Sequence, residues 1–390
     1  MAEMWINMGP QHPATHGLWD LRIKVDGDMI LDADPQIGYI HRGIEKLGEN
    51  RNYTQFIPLA DRTGYASPMT WAILYVLTVE ELMDIKVPPR ATYIRTIAFE
   101  LQRMASHLLF VYGMAENVGA MWPPLVYAYR ERELLLDLFQ ILTGARFHFN
   151  YPRIGGVKWD IPQTFEAQTK KALDVIESKL KEYERMFDES EIFLMRTKGV
   201  AVLRKEDAIR MGVTGPTLRA CGVKEDLRKS EPYMCYSDFD FGIPTGKNGD
   251  LYDRWVVRIA EIRESAKIVR QALDRIPGGA VATKVPAAVV KSVTVLDGET
   301  GYEDLCVIMA KVPKVIKPPP GEAYVRVEDS RGESAMYIIS DGTERPYRIK
   351  IRSPIFCTLS ALKYMMRGAR VADVPPIMEG IDILLSEVDR

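Results

Sequence analysis

Cysteine is scarce in this chain, and what there is stands apart. Cys221, Cys235, Cys306 and Cys357 form no CxxC or similarly short spacing, which excludes a zinc site or an iron–sulfur cluster held by this chain alone. A chain this long with so few cysteines is not a disulfide scaffold, so isolated buried thiols in a reducing compartment are expected. A basic excess is also missing. With 51 Lys and Arg against 53 Asp and Glu the formal charge is −2, which excludes a nucleic-acid binder held through phosphate contacts. No apolar run reaches the roughly 18–20 residues that span a bilayer. The opening "MAEMWINMGP" lacks the basic and apolar regions of a signal peptide. If the protein works at a membrane, other chains anchor it.

Several catalytic signatures are absent too. Gly144, Gly155 and Gly156 do not follow a strand with GxGxxG spacing, and neither GxSxG nor a phosphate-binding GxxxxGK motif occurs. The sequence by itself offers no nucleophile, no metal cage and no phosphate loop.

What is present describes an α+β chain. Its 390 residues, 47% apolar and 27% charged, are enough for a large core of two or three layers. Residues 18–32 alternate around Asp26–Gly27 and predict a β-hairpin with an Asp-Gly turn. From Pro68 the period changes: "MTWAILYVLTVEELMDI" reads as a buried helix ending before Pro88 and Pro89. Ile94, Ile97, Leu101, Met104 and Leu108 recur at helical spacing, and helical patterns continue at 125–143, 163–187 and 251–276. A central bundle of four to six helices is expected. After "KPPPG" the period becomes two in "AYVRVED", "SAMYIIS" and "YRIKIRS". A short helix near 357–367 and the tail "GIDILLSEVDR" follow. Three units are expected: an N-terminal β layer with site loops (1–66), a helical core (67–290), and a C-terminal β element with its tail packed on the bundle (291–390).

All five histidines fall within the first 148 residues, which points to chemistry where the N-terminal loops meet the bundle. In "NMGPQHPATHG", His12 and His16 stand four apart, a helical metal spacing, but Pro13 between them disfavours a helix. Two readings remain on local grounds: a loop presenting an imidazole to a pocket, or histidines that cap backbone groups. In "IGYIHRGIEK", His41 can pair with Glu45 on a helix, while Arg42 is a permanent cation suited to an electron-rich partner. In "LADRTGYASPM", Tyr65 can present a phenol to a cavity or simply pack.

Together these segments carry a resemblance that none carries singly. "GPQHPATHG", "IGYIHRGIEK", "RERE", "GARFH", "RIGGV", "GPTLRACG" with "DLRK", and the closing "SEVDR" occur in one order. The chain closely resembles the 49-kDa family of respiratory complex I, the NADH-quinone oxidoreductase, from about Gly9 to Arg390, in a compact form. The resemblance implies a fold like the nickel–iron hydrogenase large subunit. Where hydrogenases place cysteine ligands, this chain has Gly64 and Ser67 in "RTGYAS" and Leu384 and Glu387 in "DILLSE". Those residues cannot replace thiolates on nickel, so the resemblance implies no metal and a cavity free for another ligand.

In the family that ligand is a quinone, and carry-over places His16 and Tyr65 at its two carbonyls. His12, Gly17, Asn117 and Met121 match the pocket loops. Arg42 and His148 match residues near the terminal 4Fe-4S cluster of a partner iron–sulfur subunit. Other peripheral-arm and membrane-arm subunits are implied partners, and the cytoplasmic side of a prokaryotic membrane is the implied location. The electron donor, whether NADH, ferredoxin or a reduced deazaflavin, enters through other subunits. One departure stands out: relatives often carry aspartate where this chain has Asn117, and the neighbouring Glu116 points elsewhere on a helix. Two other readings are a structural assembly subunit with a vestigial cavity, and a hydrogenase large subunit, against which the missing cysteines speak.

Overall fold

Strand β1 (Met4–Met8) pairs antiparallel with β2 (Asp20–Asp26), which pairs with β3 (Met29–Gln36). The computed structural model describes residues 3–12, 15, 17–119, 122–285 and 315–390. The expected boundary at 290, Cys306, His16 and Met121 lie outside them. Two short helices, α1 (Ile44–Glu49) and α2 (Ile57–Asp61), lead into the helical centre of α3 (Pro68–Leu82), α4 (Pro89–Val118), α5 (Trp122–Thr143) and α6 (Phe165–Asp188). A small hairpin, β4 (Pro152–Arg153) and β5 (Gly156–Val157), interrupts them. Four short helices follow: α7 (Glu191–Thr197), α8 (Lys205–Arg210), α9 (Gly215–Ala220) and α10 (Leu227–Ser230). The long α11 (Leu251–Arg275) closes the bundle. A second antiparallel sheet runs in the order β6 (Gly321–Asp329), β7 (Gly332–Ser340), β8 (Arg348–Arg352). The chain finishes in α12 (Pro354–Ser360), α13 (Leu362–Met366), α14 (Val374–Gly380) and α15 (Leu385–Asp389).

The helices form where the sequence lets them bury a face. Helix α3 buries residues on every side, from Trp71 and Leu74 to Tyr75 and Val79, as a central helix must. It packs under β6 and β7 and against α4. Pro89 sits in the first turn of α4, where its missing N–H costs nothing. Helix α4 thus starts at Pro89 and runs on to Val118, beyond the 94–108 stretch that periodicity marks at both ends; at 30 residues it is about 45 Å long. Apolar side chains form two cores. One joins the bundle to the second sheet through Trp71, Phe99, Phe139, Trp255, Ile338 and Ile351. The other joins the first sheet to the chain's end through Trp19, Leu21, Leu251, Met366, Ile377 and Val388.

Three local expectations change. The hairpin turn is Gly27–Asp28 rather than Asp26–Gly27, because Asp26 still pairs with Met29 and a bulge follows Lys24. Gly27 takes the positive φ of 62° that the turn needs. The helix expected near 357–367 is two helices, α12 and α13, and the tail adds two more. His41 does not pair with Glu45: its Nδ1 lies 2.5 Å from the Asp389 carbonyl oxygen, while Glu45 accepts from Ile351 N–H, Lys350 and Arg390.

Candidate functional site

A cavity of about 480 Å³ opens where the two cores meet. Its wall takes Thr15 and Leu18 from the histidine-bearing loop, Tyr65 from the α2–α3 link, and Asn117 from the last turn of α4. Arg331 from the β6–β7 turn, Glu379 and Asp382 from the end of α14 and just after it, and Tyr112, Glu116 and Tyr129 add polar groups to the lining. These residues are far apart in sequence and reach one space because the first sheet and the C-terminal helices share a core.

The loop that carries the opening motif is held by its own backbone. Thr15 Oγ1 donates to the carbonyls of Pro10 and His12, at 3.0 and 3.2 Å, and Thr15 N–H donates to the His12 carbonyl at 3.0 Å. Gly9 is needed here: at φ 123° a Cβ would stand 2.6 Å from the Trp19 carbonyl oxygen. His12 therefore belongs to the frame of the loop, and no helix forms at His12, Thr15 or Gly17. Gly17 faces open space rather than the cavity wall.

Tyr65 borders the cavity with 37% of its surface exposed. Burial pushes its phenol up, with the nearby Arg331 guanidinium opposing. Arg331 is fixed by Asp382, whose Oδ1 accepts from Nη2 at 2.7 Å, and that partner keeps it a permanent cation against the cost of burial. Glu387 and Glu379 have no cation in contact among the described residues. Glu387 accepts from Ser353 Oγ at 2.8 Å, and burial raises it. Glu379 is pushed up to about 8, chiefly by burial and then by Asp382, with Arg258 and Arg331 opposing. Asn117 donates through Nδ2 to the Gly113 carbonyl at 2.8 Å and reaches Glu379 Oε2 at 3.4 Å.

The four positions compared with hydrogenase ligands are packed as protein. A Cβ on Gly64 would lie 2.2 Å from Trp71 Nε1 and 3.2 Å from Glu387 Oε2. Ser67 precedes α3 in full burial, and Leu384 lines the cavity. Among the described residues no group of three His, Cys, Asp or Glu side chains gathers as a metal site.

Arg42 and His148 come together on a neighbouring surface. Arg42 donates to the carbonyls of Arg62 at 2.8 Å and Ser386 at 2.6 Å. Burial lowers Arg42, with Asp389 opposing. His148, at φ 54°, stands 3.9 Å from the buried Asp61 carboxylate. Its imidazole is pushed down by burial, then by Arg62, with a smaller contribution from Arg42. Asp61 itself is raised to about 6 by burial. The C-terminus fastens this surface: Asp389 accepts from Gly38 N–H at 2.9 Å and from Ile40 N–H at 3.1 Å. "IGYIHRGIEK" and "SEVDR" are thus two halves of one clasp. "RIGGV" likewise closes on Glu80, which accepts from Gly155 N–H at 2.6 Å and forks with Arg95.

The sequence pattern of the family described as "Respiratory-chain NADH dehydrogenase, 49 Kd subunit" matches residues 117–390. An NADH-quinone oxidoreductase subunit of Dehalococcoides mccartyi is 46% identical over 385 residues, covering 99% of this chain and 98% of its own. The chain belongs to the complex I 49-kDa family. The corresponding NADH-quinone oxidoreductase subunits of Carboxydothermus hydrogenoformans and Bacillus mycoides are 45% and 44% identical over 387 residues, each covering 99% of this chain and 98% of its own. In this 49-kDa family member, Tyr65 and Asn117, both named from the sequence, line the cavity, as do Arg331, Asp382 and Glu379, which were not named. Glu379 had a signal: it is an acid inside the apolar run "VPPIMEGIDILL".

Proposed function

We propose that this chain is the quinone-binding subunit of a complex-I-like oxidoreductase, built on a nickel–iron hydrogenase large-subunit-like fold. The quinone head group enters the cavity, and electrons reach it from the terminal 4Fe-4S cluster of a partner iron–sulfur subunit. The observation that carries this reading is the meeting of the histidine loop, Tyr65 and position 117 around one cavity. Two-electron reduction of a quinone creates two oxyanions that need protons. A phenol and an imidazole, with ordinary pKa values of about 10 and 6.5, can each supply one. Tyr65 serves one carbonyl; His16, between the cavity-lining Thr15 and Leu18, serves the other, with His12 and Gly17 shaping its loop and Met121 following Asn117 in the pocket. Arg331 places a fixed cation where negative charge develops.

Arg42 and His148 face the partner's cluster, where a cation and an imidazole raise its reduction potential. On this reading the chain works only with its partners and is expected to be inactive alone. It takes electrons that originate in NADH, ferredoxin or a reduced deazaflavin through peripheral-arm subunits. Membrane-arm subunits couple its chemistry to ion translocation. No helix among the described residues is long and apolar enough to cross a membrane. The family resemblance implies a peripheral place on the cytoplasmic side of a prokaryotic membrane. Tyr65→Phe and His16→Ala in the assembled complex test the reading. Each is expected to lower quinone reduction by about 10-fold or more while electron transfer to an artificial acceptor persists. Full quinone reduction in both variants would assign the chain a structural role instead.

A further inference from the structure

We infer that Glu379 is the proton-donating carboxyl of the cavity, standing in for the acid that position 117 lacks. The inference rests on the quinone reading above. Among the described residues Glu379 and Glu387 form no ion pair, whereas the buried Glu100, Glu261 and Glu328 each engage an arginine; of the two, Glu379 lines the cavity, while Glu387 is held by Ser353. The Glu379 carboxyl lies on the cavity wall beside Asn117, whose amide N–H reaches Oε2 at 3.4 Å. Helix α4 is cut away to receive it. A Cβ on Gly113 would stand 2.1 Å from Glu379 Oε1 and 2.2 Å from its carboxyl carbon, so only glycine lets the acid lie there.

The surroundings hold a proton on this group at neutral pH. Burial is the largest influence. Asp382, following α14, and Glu116 from α4 raise it further, while Arg258 from α11 and Arg331 from the β6–β7 turn oppose. Tyr112 on α4 and Tyr65 on the α2–α3 link also feel its charge. Glu116 is exposed at the rim and hydrogen-bonds Tyr112, which also lines the cavity. These two give a route from solvent to Glu379.

The step balances. Two electrons, passed singly from the partner's iron–sulfur cluster, and two protons convert the quinone to the quinol, one proton coming from the Tyr65 side as above and the other from Glu379. The O–H bond of the Glu379 carboxyl breaks as an O–H bond forms on the reduced ligand, directly or through the neighbouring acid–base groups of the wall. The carboxylate left behind takes a new proton from water by way of Glu116.

The test uses the purified complex, with electron transfer to a ruthenium ammine acceptor as the check on assembly. Wild type is expected to lose quinone reduction above about pH 8. Glu379→Gln, neutral but unable to donate, is expected to lower kcat at least ~10-fold with KM for a short-chain quinone changed less than about 3-fold, and to lose that alkaline limb. Glu379→Asp recovers part of kcat, and adding Asn117→Asp to Glu379→Gln restores activity. Asn117→Asp alone sets a second carboxyl beside the first, so the alkaline limb moves up by about one pH unit; this arm holds if Glu379→Gln does not assemble. An unchanged kcat and pH profile in Glu379→Gln, or an unmoved limb in Asn117→Asp, overturns the assignment. Labelling of wild type by a photoreactive quinone separates the two claims. Labelling at this cavity with an indifferent Glu379 sinks the inference alone, whereas labelling elsewhere sinks the quinone reading.

Discussion

Removing the Asp389 side chain should open the segment that carries Arg42. The carboxylate accepts from Gly38 N–H through both oxygens at 2.9 Å and from Ile40 N–H at 3.1 Å. A hydrogen bond to a charged group is worth about 1.5–3 kcal/mol, so two donors set a gross loss of about 3–6 kcal/mol. Gly38 is exposed and Ile40 half-buried, so water replaces part of this, leaving about 1.5–3 kcal/mol. At about 1.4 kcal/mol per factor of ten, the opening equilibrium of residues 37–42 rises by roughly 10- to 100-fold. Hydrogen exchange of that peptide in the purified Asp389→Ala complex measures it. The Arg42 bonds to Arg62 and Ser386 should loosen with the loop, whereas peptides of α3 should not change. An exchange rate for 37–42 equal to wild type would refute the clasp.

Other perturbations test other parts of the structure. Gly113→Ala drives a methyl into the Glu379 carboxyl; quinone reduction should fall by about 10-fold or more with assembly intact, measured as kcat. Arg42→Ala should lower the midpoint potential of the partner's cluster in an EPR-monitored titration. A unit charge at a nominal ~10 Å and effective dielectric of ~20 gives about 1.7 kcal/mol, or about 70 mV. Asp61 titrates higher folded, at about 6, than unfolded, so the folded state binds more protons and stability falls as pH rises from about 4 to 6. Asp61→Asn should flatten that fall in thermal inactivation of the complex while leaving the wild-type slope below about pH 4.

Much of this was legible because local pattern and tertiary packing agree. The alternation in "AYVRVED", "SAMYIIS" and "YRIKIRS" gives strands that lie within two residues of β6–β8, since β6 and β7 pack on α3 and β8 packs on α1. Local pattern left Tyr65 open between lining a cavity and packing, and only the family resemblance put it at a pocket. Contacts across long separations were not legible. Nothing local ties Asp389 to Gly38, 351 positions away, or Glu379 to Asn117, 262 away. Local reading set Glu116 aside, because neighbouring helical residues point about 100° apart, but it could not see that α14 brings Glu379 to Asn117 instead. The bulge after Lys24 moved a turn by one residue for a similar reason: register is set by the partner strand as well as by the turn sequence.

The central claim is that quinone is reduced in this cavity, and the most direct measurement is the position of the head group in the assembled complex under turnover inhibition, by cryo-microscopy. The account predicts a head group between Tyr65 and the Asn117–Glu379 wall, with one carbonyl within hydrogen-bond distance of the Tyr65 hydroxyl. A head group bound away from Tyr65, with this cavity filled by side chains or water, would contradict it.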